Sequence, residues 1–277
     1  MTGVTLHDIQ AAARRIAPYV HHTPVMSSEL INRDAGCDIL FKCENLQKVG
    51  AFKARGAHNA VLCLDQRQRS AGVATHSSGN HAAALALAAS HFGVPAYIVM
   101  PDNAPATKVA AVRAYGGDIT FCDATLAARE STLEAVCRRS GATFIPPYDH
   151  PDVIAGQGSC ALELAGQLAL SPDFLLTPVG GGGLLAGCAV ARKKPLPNTR
   201  GIGAEPAGAD DARRSFVSGL WQPQLSPDTV ADGMRTSLGQ LNFDLISRHV
   251  DDILCADDRA IIHAPRLIWS RMKLVVE

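Results

Sequence analysis

The sequence lacks an excess of charge of either sign, because its 277 residues contain 26 lysine and arginine residues and 26 aspartate and glutamate residues. A chain without a net basic field has no electrostatic reason to bind nucleic acid or an anionic membrane as its main partner. Long hydrophobic runs are also missing, and none approaches the roughly 18 residues that span a bilayer. The N-terminal segment MTGVTLHDIQAAARRIA has no basic stretch followed by an apolar block. We therefore expect no secretory signal and a cytoplasmic protein.

Cysteine pairs with metal-ligand spacing are absent, since none of the eight cysteines forms a C-x-x-C motif. This distribution favours buried, reduced thiols and argues against a cysteine zinc site. Aromatic residues are few, at 5%, whereas hydrophobic residues make up 47% and charged residues 19%. These proportions exclude wholesale disorder and are typical of a globular chain with a substantial core.

Segments with strand-like and helix-like hydrophobic periodicity alternate along the chain. The expected strands are 38–44, 72–76, 94–100, 118–122, 142–146, 173–179, 200–205 and 250–256. The expected helices are 6–16, 53–64, 80–91, 106–115, 124–139, 153–169, 183–193 and 257–273, with Pro265 expected to kink the last helix or delay its start. We expect 206–238 to run over the surface. Such alternation predicts a two-lobed α/β fold whose parallel sheets are covered by helices.

Ligands of open parallel sheets bind beyond the carboxyl ends of the strands, which directs attention to three loops. The first, KCENLQKVGAFKARGA, places Lys53 where a turn gives way to a helix. Taken alone, this loop favours the interpretation of Lys53 as an ordinary surface cation. The second, THSSGNH, collects small and polar residues at a helix N-terminus, a place that favours a carboxylate. Helix capping would explain one or two of them, but not all five: Ser77, Ser78, Gly79, Asn80 and His81.

The third loop, TPVGGGGLLAG, has four consecutive glycines before a helix. Their bare N–H groups are suited to a phosphate cradle. Gly181, Gly183 and Ala186 also satisfy a loose G-x-G-x-x-A dinucleotide pattern, with Glu205 downstream, so a dinucleotide-binding oxidoreductase is an alternative. The combination of loops favours pyridoxal phosphate, because a hydride-transfer enzyme has no use for the lysine of the first loop.

Eight motifs occur in the order known from one enzyme family: GAFKARGAHNA, THSSGNHAAALALAA, GVPAYIVMPDNAPATK, VIAGQG, PVGGGGLLAG, AEPAGADD, ADGMRTSLG and RMKLVVE. From about residue 5 to the last residue the chain resembles the fold-type-II pyridoxal-phosphate enzymes, specifically the serine racemase, serine/threonine dehydratase and 3-hydroxyaspartate dehydratase group. The resemblance implies a tryptophan-synthase-β-like fold. It also implies a large cofactor-binding domain at 1–70 and 149–277, a small domain at 71–148, and a homodimer.

The resemblance implies site residues position by position. Lys53 matches the Schiff-base lysine, and Ser78 matches the serine that faces the substrate Cα from the opposite side. The implied cofactor-binding residues are Phe52, Lys53, Asn80, Gly180, Gly181, Gly182, Gly183 and Leu184. The implied substrate-carboxylate residues are Ser77, Ser78, Gly79, Asn80 and His81. Glu205, the carbonyl of Ala209, and Asp211 match a site for Mg²⁺, Ca²⁺ or Mn²⁺. Without the resemblance, we would interpret the two carboxylates as solvated surface acids.

Two departures from the family pattern bear on function. Relatives continue beyond RMKLVVE to a serine that meets the pyridine nitrogen, so we expect this sequence to lack the C-terminal part of the large domain. It is then an incomplete chain or a remnant without activity. Tyr148 replaces a different polar residue of animal serine racemases and resembles microbial members.

The resemblance implies a dehydratase that converts serine, threonine or 3-hydroxyaspartate to a 2-oxo acid and ammonia. Racemisation of serine or aspartate is the alternative, since both reactions begin with loss of the α-proton. A second substrate carboxylate would need a cation in the cleft. Among Arg129, His150 and Arg235 we favour Arg235, although pairing of Arg235 with a structural carboxylate is an equal alternative.

Overall fold

The computed structural model describes residues 3–77 and 79–277. Its helices are α1 (Leu6–Ile16), α2 (Glu29–Ala35), α3 (Lys53–Cys63), α4 (Gln66–Ala71), α5 (Asn80–His91), α6 (Ala106–Ala114), α7 (Leu126–Ser140), α8 (Pro151–Gln167), α9 (Gly183–Arg192), α10 (Asp211–Ser218), α11 (Gln240–His249) and α12 (Asp258–Met272). Its strands are β1 (Val25–Met26), β2 (Phe41–Lys42), β3 (Val73–His76), β4 (Ala96–Pro101), β5 (Asp118–Cys122), β6 (Thr143–Phe144), β7 (Phe174–Pro178), β8 (Arg200–Pro206) and β9 (Asp252–Ala256).

Two parallel sheets form the framework, which confirms the predicted α/β fold class. One sheet has the strand order β5-β4-β3-β6 and the other the order β7-β8-β9. In the first sheet the chain progresses from β3 toward β5 on one side and returns to β6 on the other. This reversal is a topological switch point, where a crevice opens beyond the strand ends. The loops that leave β3 and β6, at 77–79 and 145–150, therefore meet at one edge of the sheet.

Most predicted elements are present within a few residues of their expected bounds, and α5 and β5 have the expected bounds. The strand expected at 38–44 is reduced to β2, which pairs antiparallel with β1. The expectation that 206–238 runs over the surface is wrong in part, because α10 buries Asp211, Ala212 and Ser215. The last helix begins at Asp258 and runs through Pro265, so its start is not delayed. The division into domains at residues 70 and 149 stays a prediction.

The cysteines are free in the described part of the chain, but only some are buried. Cys43, Cys160 and Cys188 are buried, as expected. The expectation is wrong for Cys37, Cys63 and Cys255, which are exposed. No helix among the described residues is both long and apolar enough to span a bilayer.

Helices α3, α8 and α9 approach one another closely because glycines lie at their crossings. A Cβ atom on Gly156 of α8 would lie 2.6 Å from the Cα of Gly56 and 2.7 Å from the carbonyl oxygen of Arg55, both on α3. One turn further, a Cβ on Gly187 of α9 would lie 2.7 Å from the backbone nitrogen of Gly158. Backbone atoms cannot move aside as flexible side chains do, so these glycines set the distance of α3 from the core.

We predict that Gly156→Ala lowers the free energy of unfolding by about 1–3 kcal/mol, because the added methyl group meets backbone atoms of α3. Gly166→Ala in the same helix is the matched control, since nothing lies within 4 Å of the added atom. That control gains about 0.5–1 kcal/mol from the better helix propensity of alanine. Urea denaturation measures both variants, and equal stability of the two would contradict this account of the α3–α8 crossing.

Candidate active site

Lys53 is the first residue of α3 and is half-buried. Its Nζ donates a hydrogen bond to the carbonyl oxygen of Pro147 at 2.7 Å. The same atom lies 5.2 Å from the ring centre of Phe52 and 5.9 Å from that of Tyr148. Burial lowers the pKa of the Lys53 amine to about 8. About a tenth of this amine is therefore uncharged at pH 7, far more than for an ordinary lysine, and a lysine nucleophile requires the uncharged form.

A buried ion network fixes the helix turn that carries Lys53. The guanidinium of Arg55, whose residue is 1% exposed, bonds to Glu44 at 2.7 Å and to Glu163 at 3.0 Å. Glu163 also bonds to Lys42 at 2.5 Å. These bonds tie the start of α3 to α8 and to the segment after β2. The network holds the backbone from which the Lys53 side chain extends.

The loop after β3 leads into α5 at Asn80. Ser77 Oγ accepts a hydrogen bond from the backbone N–H of Gly79, and no described side chain caps the helix. Among the described residues, no side chain therefore competes with an anionic ligand for the first N–H groups of α5. Asn80 Nδ2 donates to Glu277 Oε2 at 2.7 Å. Ser78, which the sequence suggests as a catalytic residue, lies outside the described residues.

His81 is a buried, neutral member of the same loop region. Its Nε2 lies 3.0 Å from the carbonyl oxygen of Ile145 in the loop after β6. Burial, assisted by the positive charge of Lys53, lowers the pKa of His81 to about 3. The imidazole therefore donates through Nε2, whereas Nδ1 has no hydrogen-bond partner among the described residues. His81 joins the two loops of the switch point and contributes no positive charge.

The glycine loop after β7 has no room for side chains. A Cβ on Gly181 would lie 2.3 Å from the Tyr148 ring, and one on Gly182 would lie 2.6 Å from Leu238. Gly182 has a φ of +92°, a conformation that favours glycine, and no described side chain caps α9. The buried Leu184 follows in the first turn of this helix. The loop therefore presents uncapped N–H groups at a helix N-terminus, as phosphate binding requires.

Tyr148 joins the glycine loop to Lys53. Its ring covers Gly181, and its backbone carbonyl would lie 3.0 Å from a Cβ on Gly183. Burial is the main cause that raises the pKa of the Tyr148 phenol. The Lys53 amine and the glycine loop before α9 therefore both lie close to one aromatic ring. A lysine with a lowered pKa beside a phosphate cradle fits pyridoxal phosphate.

Glu205 and Asp211 are buried rather than solvated surface acids. Glu205 accepts hydrogen bonds from the backbone N–H groups of Ala212 and Arg213 at 3.0 and 2.9 Å. Burial raises the pKa of both carboxyls, that of Glu205 to about 8. Asp211 Oδ1 has no partner among the described residues, and the neighbouring Ala209 is fully buried. No group of three or more His, Cys, Asp or Glu side chains is assembled as a metal site in the described part of the chain.

The three candidate cations for a second carboxylate are each bonded within their own segment. Arg235 donates through Nε and Nη2 to the carbonyl oxygen of Thr229, at 2.9 and 2.5 Å. Arg129 donates to Thr125 of the same helix turn at 3.4 Å. His150 accepts from the N–H of Asp152 and caps α8. No carboxylate pairs with Arg235 among the described salt bridges.

Lys108 is a residue near the site that the sequence analysis does not single out. A Cβ on Gly79 would lie 4.0 Å from Lys108 Nζ. The residue stands in the motif GVPAYIVMPDNAPATK, in the first turn of the helix after β4. That position, beyond the carboxyl end of a central strand, is the signal that could have identified it.

Comparison with known proteins gives a consistent answer over nearly the whole chain. Residues 16–277 match the model of a family described as pyridoxal-phosphate dependent enzymes. Serine racemase of Dictyostelium discoideum is 45% identical over 279 residues, covering 100% of this chain and 86% of that protein. Beta-hydroxyaspartate dehydratase of Paracoccus denitrificans is 45% identical over 273 residues, covering 99% and 86%.

The solved structures include a near match. The structure of maize serine racemase superposes with a TM-score of 0.97 at 46% identity and covers 100% of this chain and 84% of that chain. Family match, identity and fold agree with the lysine, the glycine loop and the two uncapped helix N-termini described above. The resemblance noted in the sequence is confirmed, and the chain belongs to the pyridoxal-phosphate-dependent enzyme family.

Proposed function

We propose that this protein is a pyridoxal-phosphate-dependent ammonia-lyase that converts a β-hydroxy amino acid to a 2-oxo acid and ammonia. One observation carries the proposal: the Lys53 amine, with a pKa of about 8, and the glycine loop both lie against the Tyr148 ring. Relatives named as dehydratase support this reaction. The family match favours this interpretation over the dinucleotide-binding alternative.

The assigned roles follow from chemistry that each residue can perform. When bound, pyridoxal phosphate supplies an aldehyde for the substrate amine and a ring that withdraws electrons from the substrate Cα. Lys53, uncharged, accepts the α-proton at Nζ and can return it. Gly180, Gly181, Gly182 and Gly183, with Leu184, hold the phosphate through N–H groups, and Phe52 packs beside the ring. Loss of the β-hydroxyl as water, followed by hydrolysis, releases the 2-oxo acid and ammonia.

The substrate carboxylate binds at the N-terminus of α5 in this proposal. Ser77, Gly79, Asn80 and His81 lie there, and the absence of a described cap is the supporting observation. Asn80 also holds the pyridine 3-hydroxyl, and Ser78 acts on the opposite face of the substrate. These two roles rest on the resemblance, as does the homodimer, and the cytoplasmic location stays a prediction. Arg235 stays a prediction for a second carboxylate, although its guanidinium is bonded to Thr229.

Racemisation is the second candidate, favoured by the serine racemases among the relatives. It shares the α-proton step and differs in the fate of the deprotonated substrate. The two reactions are separated by their products, since racemisation gives the mirror-image amino acid and no ammonia.

We predict that the cofactor-loaded full chain releases a 2-oxo acid and ammonia from serine, threonine or a diastereomer of 3-hydroxyaspartate, and that Lys53→Ala abolishes this. Removal of a group that transfers the α-proton costs about 10²–10⁴-fold in rate or more. Coupled 2-oxo acid assays and chiral chromatography measure both outcomes. Lys194→Ala, at an exposed position, is the control. Enantiomer formation without ammonia would establish the racemase instead. If neither product forms, both candidate reactions are contradicted.

The low pKa of Lys53 predicts its reactivity in the cofactor-free protein. Burial stabilises the uncharged amine and lowers its pKa from the ordinary value of 10.5 to about 8. About half of the amine is therefore uncharged and reactive at pH 8. Reductive methylation with trace formaldehyde should therefore label Lys53 with a midpoint near pH 8. Peptide mass analysis between about pH 6 and pH 10 measures this, with Lys194 of the same sample as reference. Identical profiles for both lysines would contradict the burial of the amine.

We further propose that Glu205, Asp211 and the Ala209 carbonyl bind a divalent cation such as Mg²⁺, Ca²⁺ or Mn²⁺. The supporting observations are two buried carboxylates with raised pKa values and the unpartnered Asp211 Oδ1. These oxygens are hard ligands of the kind such cations prefer. A bound cation would stabilise the charged form of both carboxylates, which burial disfavours.

Cation binding should raise the melting temperature of the wild-type chain by about 5 °C at a concentration 100-fold above Kd. Glu205→Gln removes the negative charge of one proposed ligand and should abolish this rise. Asp244→Asn, at an exposed position, should retain it. Scanning calorimetry with EDTA or each cation measures the shift. An unchanged wild-type melting temperature, or the same rise in Glu205→Gln, would contradict the site.

A further inference from the structure

Lys108 forms an ion pair that crosses the mouth of the candidate active site. It lies in the first turn of α6, and its Nζ bonds to Asp232 Oδ2 at 2.7 Å. Asp232 belongs to the short helical turn Asp232–Met234, which precedes α11. The pair therefore connects a helix of the four-stranded sheet with a loop beside the three-stranded sheet.

Both ends of this pair adjoin loops of the site. On one side, Lys108 Nζ would lie 4.0 Å from a Cβ on Gly79, immediately before the uncapped N-terminus of α5. On the other side, a Cβ on Gly180 would lie 2.9 Å from the Cα of Met234. The ammonium group is thus located between the expected position of the substrate carboxylate and the glycine loop.

The ammonium of Lys108 is available for exchange. Its side chain is 32% exposed and that of Asp232 is 70% exposed, so the pair is solvated and weakly held. An ammonium group has three donors, and the described bonds use one of them. A ligand carboxylate can join or replace Asp232 without leaving either charge buried and unpaired.

The alternative cations are less well placed. The guanidinium of Arg235 is directed to the Thr229 carbonyl and that of Arg129 to Thr125, while His150 caps α8. Lys108, by contrast, already binds a carboxylate through a side-chain contact between two different segments. Asp232 shows the type of group that this ammonium accepts.

We propose that Lys108 recognises the second carboxylate of a dicarboxylic β-hydroxy amino acid such as 3-hydroxyaspartate. This inference rests on the proposed function and specifies its substrate class. The α-carboxylate binds at α5, and the second carboxylate, two carbons away, takes the place of Asp232 on the Lys108 ammonium. Serine and threonine lack that carboxylate, so Lys108 gives the site a preference for dicarboxylic over monocarboxylic substrates.

The test measures kcat/KM for threo-3-hydroxyaspartate relative to kcat/KM for serine in the cofactor-loaded full chain. Lys108→Met should lower this ratio about tenfold or more, because a charge-assisted hydrogen bond to the substrate is lost. The loss should appear mainly in KM, since this contact exists before and during the reaction. Lys108→Arg keeps the charge and should restore much of the ratio. Lys194→Met, at an exposed position away from the site loops, should leave the ratio unchanged.

Asp232→Asn provides a second arm, because it removes the competing carboxylate. It should raise the same ratio. If the ion pair only joined the two segments, Asp232→Asn and Lys108→Met would change the ratio in the same way. An unchanged ratio in Lys108→Met, which means equal losses for both substrates or no loss for either, would overturn the inference.

Binding of succinate, an unreactive dicarboxylate, makes the result independent of turnover. If no substrate is converted by the wild-type protein, the proposed function fails, and calorimetric titration with succinate still decides the role of Lys108. Affinity at least about tenfold weaker in Lys108→Met supports the inference. Equal affinity in Lys108→Met and wild type, or no binding by either, overturns it.

Discussion

The amine of Lys53 lies beside the rings of Phe52 and Tyr148, and among the described residues no carboxylate accompanies it. Two positions further along α3, Arg55 is more deeply buried and is bonded to both Glu44 and Glu163. The same helix turn therefore holds two basic side chains: Arg55 is paired with carboxylates, and Lys53 has no described carboxylate partner. Desolvation without a counter-charge favours the neutral amine, and the chemistry proposed for the site depends on it.

The placement of this amine depends in turn on close backbone packing. Gly56 and Gly156 set the distance between α3 and α8, while Gly181 lets the Tyr148 ring lie against the loop before α9. Larger residues at these positions would move either the lysine or the anion-binding N–H groups. Two helix N-termini without described caps, those of α5 and α9, then provide sites of positive potential for a carboxylate and a phosphate.

Much of this arrangement was accessible from the sequence. The alternation of strands and helices predicted the fold class, and the three unusual loops predicted where ligand-binding groups would gather. Local patterns carry that information because periodicity and turn residues depend on near neighbours. The pairing order of the sheet, which brings the loops after β3 and β6 together, is not encoded in any one segment.

Contacts between distant segments were the part that the sequence did not reveal. Lys108 and Asp232 are 124 positions apart, and the sequence patterns assigned neither residue a role of its own. The short strand β1 and the helix α10 were missed because packing, rather than local periodicity, decides them. Burial of Glu205 and Asp211 likewise depends on the path of 206–238, which composition alone suggested to be exposed.

The central claim is tested most directly by reducing the pyridoxal-phosphate-loaded full chain with borohydride and mapping its peptides by mass. The account predicts a phosphopyridoxyl group on Lys53 in near-stoichiometric amount, and little on other lysines such as the exposed Lys194. A cofactor fixed mainly at another lysine, or no fixed cofactor at all, would contradict it.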